Sequence, residues 1–452
     1  MRAAAVVVLA TFVAAPASVA QVVIAGPPKS TILPNYDMVR IGQLEAIESG
    51  AVIAQVSGPL ANVYNAAGLA ASDKTAVNAS STGYQLTTLG LEGLGQKVSS
   101  SRIANLGGFL GIVLAEPVVK SKKWRFGFSV YSPLSWEPGT LSGEEAALID
   151  GTDRQIDYRS QVRLRAHVPS LGAGYSISPR FRIGAAFQVP VIDLLQQQSV
   201  NSLIFAADSA AQVSRVFAAD GSTWNVRGTL GMQWDVTSAI TLGLNLATPT
   251  ARLWGSSLYQ DNTTVALGGG FDAVTFRDPD ARLEYKLPLT VSGGVALRLG
   301  KVRVEADVRW YNSLDEWDIY TSDSVGLAVT QVGSATVVTS PVVLPPVTLA
   351  YRSVLNFAIG GRIPLSSKLE LHAGFNSDES PLATTNESFR KVNMIGGTVG
   401  LSLTGARLSG SLGVGFQSGT SPETEIGIPP LTRETKVSVN TFQLLYSISY
   451  SF

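Results

Sequence analysis

The chain has 452 residues, with 34 basic side chains against 34 acidic, so its formal net charge is zero and nothing points to nucleic acid or another polyanionic partner. Charged residues make up 15%, well under the roughly 25% of a soluble domain, while 45% are hydrophobic. There is no cysteine, which excludes disulfides, thiolate metal sites and a lipid anchor on an N-terminal cysteine.

Residues 1–20 read as a secretory signal peptide. Arg2 supplies the charge, residues 3–15 the short apolar core, and Ser18-Val19-Ala20 the small residues of a cleavage site. Beyond them no apolar run approaches the ~18 residues of a membrane-spanning helix. In lipid only helices and closed barrels satisfy the backbone, so a membrane reading of this chain means a β-barrel. Residues 21–72 are an N-terminal extension and a plug for the lumen, or else an ordered periplasmic arm. Within them 21–34 is coil, and 40–54 has short helical character (Ile41, Leu44, Ile47) interrupted at Gly50.

Residues 73–452 alternate in hydropathy with the period of a strand. Trp124, Phe126 and Phe128 oppose Arg125, Gly127 and Ser129. The clearest case sets Val302, Val304, Ala306, Val308 and Trp310 against Arg303, Glu305, Asp307, Arg309 and Tyr311. Four successive ionisable residues on one face exclude lipid and a dry core there, and suit a wet lumen in which both signs compensate. The last stretch, 441–452, puts Phe442, Leu444, Tyr446, Ile448, Tyr450 and Phe452 on one face. A half-buried strand of a soluble β protein shows the same alternation.

About fourteen such strands are expected, an even number as bacterial barrels require. They begin near Lys74, Ile103, Lys123, Ile156, Phe181, Trp224, Ile240, Leu283, Val302, Ser353, Lys368, Asn393, Ala406 and Lys436. Tight turns at 178–180, 237–238, 300–301, 366–367 and 405 alternate with long expected loops at 138–155, 190–223, 255–281, 318–352, 378–392 and 418–434. Short turns on one rim and long loops on the other form the outer-membrane pattern, and predict a transmembrane antiparallel barrel in the bacterial outer membrane.

Two stretches then carry a family resemblance. Leu287-Pro288 through Trp310 to Trp317, and Gly374-Phe375-Asn376-Ser377-Asp378-Glu379-Ser380-Pro381, are similar to motifs of the FadL/TodX outer-membrane channels for hydrophobic compounds. The resemblance implies a fourteen-stranded barrel plugged by an N-terminal hatch. It also implies passive uptake of long-chain fatty acids or aromatic hydrocarbons, and contact of the C-terminal strand ending at Phe452 with the barrel-assembly machinery. Asn65-Ala66-Ala67 stands where the family carries Asn-Pro-Ala in its hatch. Ser132-Pro133-Leu134-Ser135 matches the kinked third strand that opens the family's barrel wall. Independently, Pro133 has no N–H to donate, so a ladder bond is missing there, which marks an edge or break in the strand or simply the strand's end.

The apolar residues Leu194, Leu195, Ile204, Phe205, Val213, Val216 and Phe217 are expected to line a substrate groove, or else to pack into a loop that merely caps the barrel. Residues 206–219 are expected as an amphipathic helix that resembles the family's third outer loop, with 258–276 as the fourth. Arg352 is the head-group candidate, with Arg303 and Arg309 as rivals.

No cofactor, metal site or catalytic residue is expected. His167 and His372 are the two histidines, and neither has a serine nucleophile motif beside it in sequence. Gly268-Gly269-Gly270 lacks the lysine and hydroxyl of a phosphate cradle. A hydrophilic porin is the alternative function.

Overall fold

The computed structural model describes residues 31–452, apart from 95, 105–107, 117, 150–151, 207–208, 268–269, 333–334, 344–346, 384–388 and 429–430. The expected signal peptide and residues 21–30 lie outside the described residues.

Fourteen antiparallel wall strands close into one barrel. In chain order they are Ala76–Leu94; Gln96–Ala104 with Gly108–Leu114; Trp124–Trp136 with Thr140–Ile149; Thr152–Ser178; Phe181–Gln188 with Val191–Ala206; Ser209–Asp235; and Ile240–Ala247 with Ala251–Leu267. There follow Gly270–Leu283 with Thr290–Leu299; Val302–Tyr311 with Leu314–Thr321 and Val325–Val332; Ala335–Val343 with Val347–Tyr351 and Val354–Pro364; Leu369–Asp378; Asn393–Thr404; Leu408–Thr420 with Thr424–Ile428; and Leu431–Ser451. The first strand pairs with the last, from Ala76↔Ser451 to Glu92↔Lys436, so no sheet edge is left where the ring closes.

The expected alternation is realised across the wall. Phe126, Phe128, Leu171, Phe187, Leu230 and Phe442 are exposed on the outside, while Arg125, Ser129, Ser170, Gln188 and Gln443 are buried inside. Trp124 and Trp234 stand beside short turns, and Trp224 and Trp254 are cross-strand partners at the other rim of the apolar belt. Such a belt between aromatic girdles is the outer surface of an outer-membrane barrel. No helix among the described residues is long and apolar enough to cross a membrane.

The long loops expected at 138–155, 190–223, 255–281, 318–352 and 418–434 are instead largely strand. The wall ladders run on past the apolar belt as tall hairpins. Residues 209–219, expected as the end of a helix, pair with the preceding strand from Ser209↔Ala206 to Trp224↔Val191 and with the following one from Ala211↔Leu267 to Val226↔Ala251. The spacing of Val213, Val216 and Phe217 fits a helix face. Two neighbouring strands offering backbone partners to every residue decide for extended chain, and a short apolar run does not distinguish the two periods. Residues 258–276 are likewise two paired strands, Tyr259↔Asp278 to Leu267↔Gly270. Residues 379–383, 391 and 392 of the stretch 378–392 do stay outside the strands.

Residues 31–75 run inside the barrel. They hold the helices Leu44–Ile47 and Ala61–Tyr64 and the 3-10 turns Gly58–Leu60 and Ala66–Ala71. Gly50 has φ +79°, a left-handed turn that ends the first helical stretch.

Candidate substrate path

The interior segment is held by the polar face of the wall. Asp307 Oδ2 accepts the backbone N–H groups of Val52 (2.7 Å) and Ile53 (3.1 Å), and Glu305 Oε1 accepts that of Ala54 (2.6 Å). Arg309 donates to Asp37 Oδ1 at 2.9 Å and to the carbonyl of Gly50. The ionisable face predicted to line a wet lumen is therefore buried against protein backbone. Its carboxylates replace water as acceptors for residues 52–54, which lie outside the segment's helices, and buried N–H groups require such partners.

Asn65 Nδ2 donates to the carbonyls of Ile53 (2.8 Å) and Met232 (3.0 Å), and its Oδ1 accepts from Ala67 N (3.2 Å). The side chain thus caps the 3-10 turn Ala66–Ala71 and ties it to the wall. Ala66 is the first residue of that turn, where an N–H has no acceptor within the turn, so alanine serves where the family's motif has proline. A Cβ at Gly231 would collide with Asn65 Oδ1, and one at Gly184 with the backbone of Ala66. Gly231→Val should expel this turn and raise amide exchange at residues 65–71 by about tenfold or more, as overpacking typically costs 1–3 kcal/mol. Exchange unchanged there, with the wall strands equally protected, would show that the notch is not needed.

Asp378, in the second family-like motif, accepts the N–H of Asp37 (3.1 Å) and the amide of Asn356 (3.2 Å). His372 lies between Glu48 Oε1 and Ser402 Oγ, both at 2.8 Å. Nδ1 thus faces the carboxylate and Nε2 the serine hydroxyl. Sequence spacing could not pair these three. They have the residue types of a hydrolytic triad, but Ser402 is 2% exposed beneath the interior segment and His372 is fully buried. The array staples that segment to two strands.

Above the carboxylates the lumen turns apolar. Trp136, Leu164, Ile192, Leu194, Phe217, Tyr259, Phe276, Trp317 and Tyr351 belong to one buried cluster, into which Ile32, Leu33 and Met38 of the interior segment are packed. Trp136 Nε1 donates to the carbonyl of Ile32 at 2.7 Å, and Tyr36 stacks on Tyr311 with centroids 4.3 Å apart.

The wall beside this chamber is interrupted. The second and third strands pair only from Leu114↔Phe126 up to Phe109↔Tyr131. Above Tyr131, Gln96–Ala104 pairs with the first strand and residues 134–149 with the fourth; no ladder joins them to each other among the described residues. The register against the fourth strand shifts between Tyr131 and Leu134, so Ser132 and Pro133 form a bulge at the foot of the gap. Leu134 and Trp136 face the chamber, and Ser132 Oγ meets His167 Nδ1 at 3.0 Å on the outer side.

The seven groove candidates divide by strand parity. Leu194, Val213 and Phe217 are buried towards the lumen, Leu194 and Phe217 within the apolar cluster. Phe205 and Val216 are exposed on the outer face. Leu195 is buried on that outer side, in register with Arg163 and Asp220. Ile204 is paired with Ala211 and Arg154, and its side chain lies outside the described residues. A groove drawn from all seven thus falls apart, because successive residues of a strand face opposite ways. Arg352 already donates to Glu379 (2.8 Å) and to the carbonyl of Ser380 (3.1 Å). Of its rivals, Arg309 is committed to the interior segment. The aromatic lining from Tyr259, Phe276, Trp317 and Tyr351 was missed, because Tyr259, Phe276 and Tyr351 were expected in loops and Trp317 was read only as the end of a family-like motif.

No protein-family model matches the chain, and no curated protein is significantly similar to it in sequence. Solved structures match along nearly its whole length. A Pseudomonas aeruginosa FadL homologue superposes with a TM-score of 0.58 at 11% identity, over 93% of this chain and 100% of the other. The P. putida toluene transporter TodX gives 0.58 at 16% identity, over 91% and 98%. The chain has the FadL/TodX fold. The CymD monoaromatic hydrocarbon channel shares it, at a TM-score of 0.54 and 12% identity over 92% and 99%. At such identities the FadL/TodX fold is what is common, and side-chain roles rest on the geometry above.

Proposed function

We propose that the protein is an outer-membrane channel for passive uptake of hydrophobic compounds, with long-chain fatty acids as the first substrate class and aromatic hydrocarbons as the second. One observation carries this reading: the aromatic chamber of the upper lumen lies against a break in the barrel wall, with the lumen below filled by the interior segment. A polar solute gains nothing from such a chamber. Each buried methylene of a fatty acid gains roughly 0.8 kcal/mol. The similar folds that are named as a toluene transporter and a monoaromatic hydrocarbon channel support the same class of cargo.

In this mechanism the substrate enters between the outer hairpins and displaces the weakly structured residues Ile32–Met38 from the apolar cluster. It then leaves sideways through the gap above Tyr131, with Ser132, Pro133, Leu134 and Ser135 forming its lower corner. Residues 31–75 act as the hatch that keeps the lumen closed to water. The gradient across the membrane drives the flow. A hydrophilic porin needs an open polar lumen, and the buried contacts of residues 50–67 speak against one.

The test is uptake of radiolabelled oleate and toluene by cells expressing the protein. Phe217→Glu puts a charge into the chamber and is expected to cut uptake by about tenfold or more, since an unpaired buried charge is strongly disfavoured. Phe205→Glu, on the outer face, should leave uptake within about twofold, as changes away from the path usually do. Uptake of neither compound by the wild-type chain, with passage of small sugars in liposome swelling, would replace this reading by the porin.

A further inference from the structure

The wall gap carries its own ion cluster. Glu137, 8% exposed, lies in the gap and binds two guanidinium groups at once: Arg102 through Oε1 and Arg165 through Oε2, the latter at 2.6 Å. Arg102 is paired opposite Thr87, on the face turned to the lumen, whereas its neighbour Ile103 points out. Arg165 is on the outward face of its strand, since Leu164 and Ala166 are the buried ones. The cluster therefore runs through the wall, from an arginine on the lumen side to one on the outer side. Both arginine side chains are 40% exposed, and they share one carboxylate in the ion pairs of the described residues.

The surroundings have the shape of an amphipathic anion. On the lumen side Leu89, Leu91, Leu134 and Trp136 belong to the apolar cluster. On the outer side Arg165 opens onto a groove of about 520 Å³ that is also lined by Arg163, His167, Asp193, Asp220 and Ser256. That groove stands one row above the outer aromatic girdle: His167, Val191, Trp224 and Trp254 are in register, and Arg165, Asp193, Ser222 and Ser256 form the next row. It is thus at the level of lipid head groups, with the apolar belt beneath it.

We propose that Arg102 and Arg165 select carboxylate-bearing substrates at the wall gap by exchanging Glu137 for the substrate's carboxylate. The head group passes from Arg102 to Arg165 while the tail moves from the chamber into the acyl region of the outer leaflet. A hydrocarbon has nothing to exchange and gains nothing from the pair. This rests on the channel reading above and names its substrate class as long-chain carboxylates. An arginine–carboxylate pair is planar and bidentate, and a hydrogen bond to a charged group contributes more than a neutral one.

The experiment measures the ratio of oleate to toluene uptake in three forms of the full-length protein: wild type, Arg102→Gln with Arg165→Gln, and Glu137→Gln. Heat-modifiable migration in gels checks that each barrel is folded. The double arginine variant should lower the ratio by roughly tenfold, in line with loss of a charge-assisted hydrogen bond. Glu137→Gln removes the internal competitor and should raise it. An unmoved ratio in both variants, with both compounds still taken up, overturns the carboxylate selection and leaves the channel standing. Uptake of neither compound by the wild type overturns both.

Discussion

Replacing Arg309 by methionine should loosen the interior segment more than any other single substitution on the wall. Arg309 sits between Asp37 (2.9 Å) and Asp307 (3.9 Å) and donates to the Gly50 carbonyl. Asp307 in turn holds the N–H groups of Val52 and Ile53. Removing the guanidinium leaves two acids without their cation in a site closed to water. Breaking a buried pair in this way costs about 3–5 kcal/mol. Part of that cost falls on the segment, which has few regular hydrogen bonds to resist it, rather than on the closed ladder of the barrel. Amide exchange at Val52, Ile53 and Ala54 should therefore accelerate by about a hundredfold or more, while the strand Val302–Tyr311 keeps its protection. Planar bilayers should show new ion conductance. Arg309→Met with Asp37→Asn should recover part of the loss by removing one of the orphaned charges. Unchanged exchange in the single variant would mean that the segment is held by its apolar packing and not by this network.

The second large effect concerns the wall. A Cβ at Gly139 would lie 3.0 Å from Ser100 Oγ, across the gap. Ser100→Cys with Gly139→Cys therefore brings two sulfurs within bonding range. The chain has no other cysteine to compete. Gly139 has φ +103°, so the new side chain costs about 1–3 kcal/mol of strain, which a closed barrel absorbs. Oxidation should fix the width of the gap and reduce uptake of oleate and toluene alike by about tenfold or more, if both leave this way by widening it. Reduction should restore it. Full uptake through the oxidised form would move the exit elsewhere, into the lumen below or to another seam.

The position of each wall strand was legible along the chain, and the reason is the solvent. Where one face meets lipid and the other does not, every second residue must be apolar, as in Phe126 and Phe128 against Gly127 and Ser129. Beyond the girdle at Trp224 and Trp254 both faces meet water or protein, and that requirement lapses. The expected start at Trp224 therefore falls well inside a strand that begins at Ser209, and those at Leu283 and Ser353 fall after the first segments of wall strands that begin at Gly270 and Ala335. The outer hairpins are held by backbone pairing, which leaves little mark on residue type. The same gap in the signal made residues 206–219 look helical and split the groove candidates between two faces.

Composition and alternation by themselves thus determined a membrane barrel, its strand number and the polar face of Val302–Tyr311, because the bilayer acts on every residue independently. An interruption at Pro133 was also visible, since a missing N–H is a property of one residue, but whether it was a strand end, a break or a bulge was not. What that polar face binds was left to the tertiary structure. So were the aromatic chamber from Phe217, Tyr259 and Trp317, the staple of Glu48, His372 and Ser402, and the cluster of Arg102, Glu137 and Arg165. Each joins residues tens to hundreds of positions apart, and only the side-by-side packing of the wall strands and the path of residues 31–75 inside them bring these residues together.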